Sequence, residues 1–272
     1  MEEQILHEDT LFAEPIFNIG NFSVTNSLIN SWIVLIVVLI FAFSIRKKIR
    51  RVPRGMQNLL EVIIDWFLNL SDQVTGSRKV SLKVLPIVLS FFFFILLNNW
   101  LGLLPGIGSI GKIVMEDGQK VFVPFFRGAT ADLNTTLALA SVALVIVHIF
   151  GTVAHGAWNY LNKFVNIRML VDIPKKVFKD PTVLLINPVK IFVGLLEIIG
   201  EIAKAASLSF RLFGNIFAGE VLLSAMSAIF AFLVPLPFIA LEIMVGLIQA
   251  MIFSILILIY TSVSMAPEEE EA

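Results

Sequence analysis

The sequence contains no cysteine among its 272 residues, and only 15% of those residues are charged. The absence of cysteine excludes disulfide frameworks and thiolate metal sites. The scarcity of charge, together with an apolar fraction of 57%, lies outside the usual composition of soluble proteins. Its 20 basic and 21 acidic side chains nearly cancel, so no overall charge favours nucleic acid as a partner. These features predict a membrane protein.

Several sequence motifs are also missing. The first 45 residues contain no lysine or arginine, so a basic signal-peptide start and a transit peptide are both absent, and we expect the mature chain to begin at Met1. Residues 106–111 formally match the dinucleotide pattern G-x-G-x-x-G, but they follow a predicted membrane span rather than a strand. Neither a phosphate-binding G-x-x-x-x-G-K-[ST] loop nor an H-E-x-x-H helix is present. We therefore predict no bound nucleotide, cofactor or metal on this chain.

Long apolar runs separated by charge clusters define the candidate membrane spans. A span needs roughly 20 mainly apolar residues to cross about 30 Å of hydrocarbon. Five regions qualify, at residues 28–45, 85–104, 133–154, 189–232 and 238–263. The fourth is about 66 Å long at about 1.5 Å per residue, so it must tilt steeply, break or cross twice. The prediction is an all-α polytopic protein, with a short segment over residues 1–27 and one transmembrane domain over residues 28–272.

The basic residues in the connections predict the orientation, because cytoplasmic loops retain lysine and arginine. Nine follow the first span and six follow the third, whereas the connection over residues 105–132 holds three and none precedes the first span. An external N terminus and a cytoplasmic tail at Glu268–Glu271 follow if the long fourth region crosses once. Two crossings there would place the tail outside.

Residues 57–74 have an amphipathic helical pattern. Apolar side chains, among them Leu59, Trp66 and Phe67, share one face, and acidic and amide side chains share the other. This pattern favours a helix lying at the cytoplasmic membrane surface, although packing on a soluble partner is an alternative, since an acidic face binds anionic lipid poorly.

The last two apolar regions carry six charged residues: Glu197, Glu201, Lys204, Arg211, Glu220 and Glu242. Each costs about 2.5 to 3.5 kcal/mol at a helix centre, so these side chains must face protein or water. Glu201 and Lys204 are three positions apart and can pair on one helix. Arg211 has no acid three or four positions away in either direction. Its counter-charge is therefore expected from another helix or another subunit.

Helical geometry separates these charges into groups. At about 100° per residue, Glu197, Lys204 and Asn215 lie within roughly 40° of Arg211, whereas Glu220 lies about 180° away and about 14 Å further along the axis. The order of acid, cation and acid suggests two proton-accessible cavities separated by a positive barrier. Arginine suits such a barrier because its guanidinium does not lose its proton. A carboxylate on a moving partner would be attracted to it in its ionised form.

Residues 207–220 read S-L-S-F-R-L-F-G-N-I-F-A-G-E and resemble the signature of subunit a of F-type ATP synthases, in which R-L-F-G-N is followed by A-G-E. Supporting matches lie at residues 98–105, 131–136, 187–188 and 249–250. The resemblance covers most of the chain from about residue 85 onward. It implies a non-catalytic, proton-conducting stator subunit whose last two helices, over about residues 189–263, form a steeply tilted hairpin around a ring of two-helix c subunits.

The resemblance also implies roles for individual residues. Arg211 matches the essential arginine that faces the ring carboxylate. Positions matching the external half-channel or the surroundings of the arginine are Glu220, Asn215 and Gln249, and Glu242 falls where family members carry histidine or glutamate. Positions matching the cytoplasmic half-channel are Glu197 and Ser207, and Asp132 matches an acidic position at the external mouth. Lys204 receives no role.

The same resemblance implies peripheral-stalk b subunits as further partners. We expect protons rather than sodium as the ion, because the proton is the commoner case among such machines. We expect a bacterial inner membrane as the location, because no transit peptide appears and the predicted N terminus is external. A secondary transporter that binds a substrate at the buried charges is an alternative, and a purely structural scaffold is another. His148 and His155 are seven positions apart without a third donor, so they predict no metal site, and we expect His148 to be packed and hydrogen-bonded.

Overall fold

The computed structural model describes residues 10–47, 49–104, 106–116, 119–165, 183–230 and 233–266. Within these ranges the chain forms seven α-helices and two β-hairpins. In chain order the elements are β1 (Pro15–Ile19), β2 (Phe22–Thr25), α1 (Asn26–Arg46), α2 (Met56–Thr75), α3 (Arg78–Gly102), β3 (Gly111–Glu116), β4 (Gln119–Pro124), α4 (Leu133–His155), α5 (Ala157–Val165), α6 (Val183–Ile229) and α7 (Pro235–Met265).

Five of these helices are long and apolar enough to cross a membrane. They are α1, α3, α4, residues 192–229 of α6, and α7, so the prediction of an all-α polytopic membrane protein is confirmed. The largest shift in a boundary is at α3, which begins at Arg78 rather than residue 85. Its first turns carry lysine and arginine, so a search for apolar runs does not count them as part of the span. The backbone is nevertheless helical there.

The long fourth region is a single helix, α6, which runs over 47 residues from Val183 to Ile229. It begins before the predicted residue 189 and continues through Pro188. At about 1.5 Å per residue it is about 70 Å long, so it must tilt or extend beyond about 30 Å of hydrocarbon. The alternatives of a break or of two crossings within this region are excluded.

The ends of the helices define the two ends of the bundle. The Ser262 hydroxyl near the end of α7 donates to the Val74 carbonyl of α2, at 3.0 Å. We call this the α2 end, and the opposite end, which carries both β-hairpins, the β-hairpin end. Helices α1, α4 and α7 run toward the α2 end, whereas α3 and α6 run toward the β-hairpin end.

The two β-hairpins were not predicted, and each is an antiparallel pair of strands. β1 and β2 lie within the N-terminal segment and turn at Gly20, whose φ of 63° suits a residue without a β-carbon. Thr25 then caps α1 by accepting a hydrogen bond from the Leu28 N–H at 3.3 Å. β3 begins at Gly111, the last glycine of the rejected dinucleotide pattern, so that pattern follows a helix and leads into a strand.

The predicted amphipathic helix lies at Met56–Thr75 as α2. Part of its apolar face packs on the bundle, because Phe67 and Leu68 are buried and the Phe67 ring lies 4.9 Å from that of Phe92 in α3. Trp66 remains exposed. The apolar face of α2 is therefore shared between the protein core and the surroundings.

Asn99 and Trp100, near the end of α3, fix the position of α7. The Asn99 amide donates to the Gly246 carbonyl at 3.0 Å and accepts from the Thr130 hydroxyl at 2.6 Å. The Trp100 indole donates to the Ile243 carbonyl at 3.1 Å. These polar contacts hold α3, α7 and the turn before α4 together at the β-hairpin end.

We expect Asn99→Ala to destabilise the fold by about 1 to 2 kcal/mol, because the Gly246 carbonyl and the Thr130 hydroxyl lose a buried partner. Thermal unfolding of the purified protein in detergent measures this as a lower midpoint. The control is Asn69→Ala, since Asn69 is exposed on α2. Equal midpoints for the two variants would show that the Asn99 contacts are not stabilising.

Candidate functional site

The polar residues of α6 meet those of α7 along the length of an antiparallel pair of helices. The Lys204 ammonium lies over the ring of Tyr260, 5.3 Å from its centroid. One turn beyond Arg211, the Asn215 amide donates to Gln249 Oε1 at 2.8 Å. Further toward the β-hairpin end, Gly219 lies directly against the carboxylate of Glu242. These separate polar contacts, which we call the polar seam, are spaced along the apolar spans.

Arg211 lies on the face of α6 that this chain leaves uncovered. Ser207, Phe210, Arg211 and Asn215 are all exposed. The guanidinium donates a long hydrogen bond, at 3.4 Å, to the Ser207 hydroxyl. Among the described residues, no carboxylate forms an ion pair with Arg211. The face therefore presents a permanent positive charge without an acidic partner from the described part of its own chain.

Glu242 and Gln249 are buried side chains on one face of α7, with 5% and 2% of their surfaces exposed. A β-carbon at position 219 would overlap the Glu242 carboxyl group, so a glycine there lets the two helices bring this carboxylate against α6. Gln249 Nε2 has no hydrogen-bond partner among the described residues. Asn215 and Gln249 are thus joined across the two helices, and Glu242 lies about two turns of α7 nearer the β-hairpin end.

Glu220 is held by an arginine that the sequence interpretation did not single out. Arg127 Nε lies 3.2 and 3.1 Å from the two carboxylate oxygens of Glu220, and its NH2 group lies 2.8 Å from Oε2. Arg127 is 6% exposed. The available signal was that Arg127 is the only charged residue between Lys120 and Asp132 in an apolar stretch. An isolated buried cation of this kind needs an acid elsewhere in the fold.

Asp132 is engaged as the N-cap of α4. Its carboxylate accepts hydrogen bonds from the backbone N–H groups of Asn134 and Thr135 at 3.3 and 3.1 Å, and from the Thr135 hydroxyl at 2.6 Å. It also accepts from the Ala13 N–H at 3.1 Å. Asp132 therefore has a structural role at the β-hairpin end, because it attaches the N-terminal segment to α4.

A second polar cluster lies toward the α2 end. Lys204 donates to Glu201 at 2.7 Å, so the predicted pairing of these two residues is confirmed. His148 Nε2 lies 3.8 Å from the second oxygen of Glu201, and its Nδ1 lies 2.8 Å from the Tyr160 hydroxyl, as the expectation of a hydrogen-bonded histidine requires. Burial, followed by the carboxylates of Glu201 and Glu197, raises the pKa of Tyr160 to about 12. Tyr160 therefore stays protonated at neutral pH.

The site residues are arranged in order along α6. Glu197 and Glu201 precede Arg211 by about 21 and 15 Å of helix, and Glu220 follows it by about 14 Å. Glu197 and Glu201 thus lie toward the α2 end of the bundle and Glu220 toward the β-hairpin end, with Arg211 between them. Within the ranges that the structure describes, no group of three or more histidine or acidic side chains could hold a metal ion.

Comparison with known proteins gives a consistent result. A family model described as ATP synthase A chain matches residues 28–262. The "ATP synthase subunit a" of Syntrophobacter fumaroxidans is 31% identical over 96% of this chain and 96% of its own length. That of Geobacter sulfurreducens is 31% identical over 86% and 85%. That of Moorella thermoacetica is 29% identical over 90% and 93%.

Proposed function

This chain belongs to the ATP synthase A chain family, and from that premise we propose that it conducts protons through two offset half-channels and couples their flow to rotation of a c-ring. Family membership makes it a membrane-sector, proton-translocating subunit of an ATP synthase complex. It also removes the basis for the secondary-transporter interpretation, which rested on the buried charges alone.

The observation that carries the proposal is the uncovered Arg211. A permanently charged guanidinium at the middle of an apolar helix is costly unless protein or water covers it. Within the described chain its contact is a hydroxyl, and its helix face is exposed. A carboxylate on a neighbouring subunit satisfies both the charge and the exposed face. The proposed neighbour is a ring of small two-helix subunits, each with one acid at this depth.

The two half-channels are proposed from the polar side chains on either side of Arg211. Toward the β-hairpin end the path uses Glu220, Glu242, Gln249 and Asn215, with Asp132 at its mouth. Toward the α2 end the path uses Glu197 and Ser207. Carboxylates are suited to these paths because they can take up and release protons. Arg211 separates the paths because its guanidinium does not relay a proton.

We further propose that the α2 end faces the bacterial cytoplasm, because most of the basic loop residues belong to the connections at that end. The N terminus is then external and the C terminus cytoplasmic. Proposed partners besides the c-ring are peripheral-stalk b subunits and membrane lipid, and the proposed ion is the proton. Glu201, Lys204 and His148 form a hydrogen-bonded and ionic cluster beside the α2-end path.

Cross-linking tests the ring contact directly, because the chain has no cysteine of its own. In the assembled complex, Phe210→Cys carrying a benzophenone maleimide is expected to capture a small two-helix subunit after illumination, since Phe210 is 60% exposed beside Arg211. Mass spectrometry identifies the product. The matched control is Val145→Cys on α4, which is 56% exposed on a different helix and should not capture that subunit. Capture by Val145→Cys alone would place the ring elsewhere and overturn the proposal.

A further inference from the structure

Arg127 occupies a position between Glu220 and the N-terminal segment. With one side its guanidinium binds the Glu220 carboxylate through Nε and NH2. With the other side NH1 and NH2 donate to the Thr10 hydroxyl at 3.2 Å and the Thr10 carbonyl at 2.8 Å, and NH1 to the Phe12 carbonyl at 3.4 Å. Every nitrogen of the guanidinium therefore has a partner.

We propose that Arg127 is a positioning residue for proton transfer: it fixes the Glu220 carboxylate at the mouth of the β-hairpin-end path and joins it to residues 10–12. This inference rests on the proposed function, since it gives Glu220 a proton-transfer role. Arg127 itself carries no proton to or from the path, because a guanidinium does not titrate in proteins. It acts through the geometry and the charge of Glu220.

The geometry of the pair supports positioning rather than a loose surface contact. Arg127 is 6% exposed, whereas the Glu220 side chain is 33% exposed. A two-pronged contact between a guanidinium and a carboxylate restricts the direction of both groups. The buried Arg127 is thus fixed by the fold, and Arg127 in turn holds the more accessible Glu220. Glu220 stays accessible while its orientation is set.

Arg127 is the cation that pairs with Glu220 among the described residues. Other charged side chains described at this end include Glu14 before β1, Lys112 of β3, Lys120 of β4, Asp132 before α4, and Glu242 of α7 beside Gly219.

The connection to the N-terminal segment makes that segment part of the mouth. The Leu133 N–H donates to the Leu11 carbonyl at 3.4 Å, and the Ala13 N–H donates to Asp132. Residues 10–13 are thus attached both to the start of α4 and to Arg127. Loss of the Arg127 side chain would therefore free the Glu220 carboxylate and also remove the attachment of residues 10–12 to Arg127.

The test is the rate of ATP synthesis by the complete complex in sealed vesicles at constant driving force, normalised to the amount of assembled complex. Arg127→Gln is expected to lower this rate several-fold, because Glu220 loses the group that orients it. Arg127→Lys keeps the charge but not the two-pronged geometry, and it should restore part of the rate. In a Glu220→Gln background, Arg127→Gln should lower the rate no further, a non-additivity that a purely structural role would not produce.

The matched control is Lys112→Gln, because Lys112 is also a cation at this end that binds the N-terminal segment, donating to the Ile16 carbonyl at 2.7 Å, and does not contact Glu220. Its normalised rate should equal that of the wild type. A wild-type rate for Arg127→Gln would overturn the inference, as would an equal loss for Lys112→Gln or a further loss of the same size in the Glu220→Gln background. If Arg127→Gln does not assemble, Arg127→Lys decides: an unchanged rate overturns the inference.

Failure of this inference is distinguishable from failure of the proposed function. Arg211→Ala in the same vesicles reports on the function alone. If Arg211→Ala abolishes synthesis while Arg127→Gln matches the wild type, only the role of Arg127 is wrong. If Arg211→Ala leaves synthesis intact, the proton-transfer role of Glu220 loses its basis as well.

Discussion

Arg211→Ala is expected to reduce ATP-driven proton pumping and gradient-driven ATP synthesis by about 100-fold or more, the scale seen when a fixed charge that stabilises a transferring group is removed. The complex should still assemble, because Arg211 is exposed and supports no core contact in its own chain. Without the guanidinium, a ring carboxylate has no cation to draw it into the ionised form between the two paths. Proton flow and rotation then become uncoupled.

Arg211→Lys separates charge from proton retention. A lysine keeps the positive charge but can lose its proton when buried, so the barrier between the paths becomes permeable. We expect partial synthesis together with a raised passive proton leak in vesicles without nucleotide.

The matched control for both substitutions of Arg211 is Arg78→Ala, since Arg78 is an exposed arginine paired with Asp72 outside the seam. Pumping by Arg211→Ala within twofold of this control would show that Arg211 has no role in coupling.

Gly219→Ala is expected to have the second-largest effect, a loss of about tenfold in proton pumping. The added β-carbon would overlap the Glu242 carboxyl group, which lies at the end of a flexible side chain and must swing away. The backbone can remain in place, so assembly should be retained while the proton path through Glu242 is interrupted. The measurement is ATP-driven acidification of vesicles, normalised to the amount of assembled complex.

Gly108→Ala is the control for that change, because a β-carbon at position 108 meets nothing within 4 Å and the residue lies outside α6. It adds the same methyl group as Gly219→Ala without touching the contact between α6 and α7. Equal pumping by the two variants would mean that the position of Glu242 against α6 does not matter for conduction.

The sequence predicted the membrane helices well because their signal is local. Spans such as α4, at Leu133–His155, are bounded by polar residues, and their apolar runs match the thickness of a bilayer. Pro188 misled the prediction of the start of α6, because a proline usually marks a helix boundary, yet the helix continues through it. The β-hairpins were missed because strands of four to six residues have too short a pattern to identify.

The site was predictable only within single helices. The pairing of Glu201 with Lys204 follows from their spacing of three residues, and so does the lack of an acid near Arg211 on its own helix. Helical periodicity carries no information about which neighbour an outward residue meets. It therefore placed Glu220 away from Arg211 but did not predict Arg127 as its partner, a residue 93 positions earlier in the chain.

The most direct test of the account is a structure of the assembled membrane sector in a lipid bilayer at a resolution that shows side chains. We expect the Arg211 guanidinium to point toward a carboxylate of a neighbouring ring subunit, at ion-pair distance or through one water molecule, with Glu220 and Glu197 in separate water-filled paths. A guanidinium that points to lipid headgroups, or that pairs with an acid of its own chain, would contradict it.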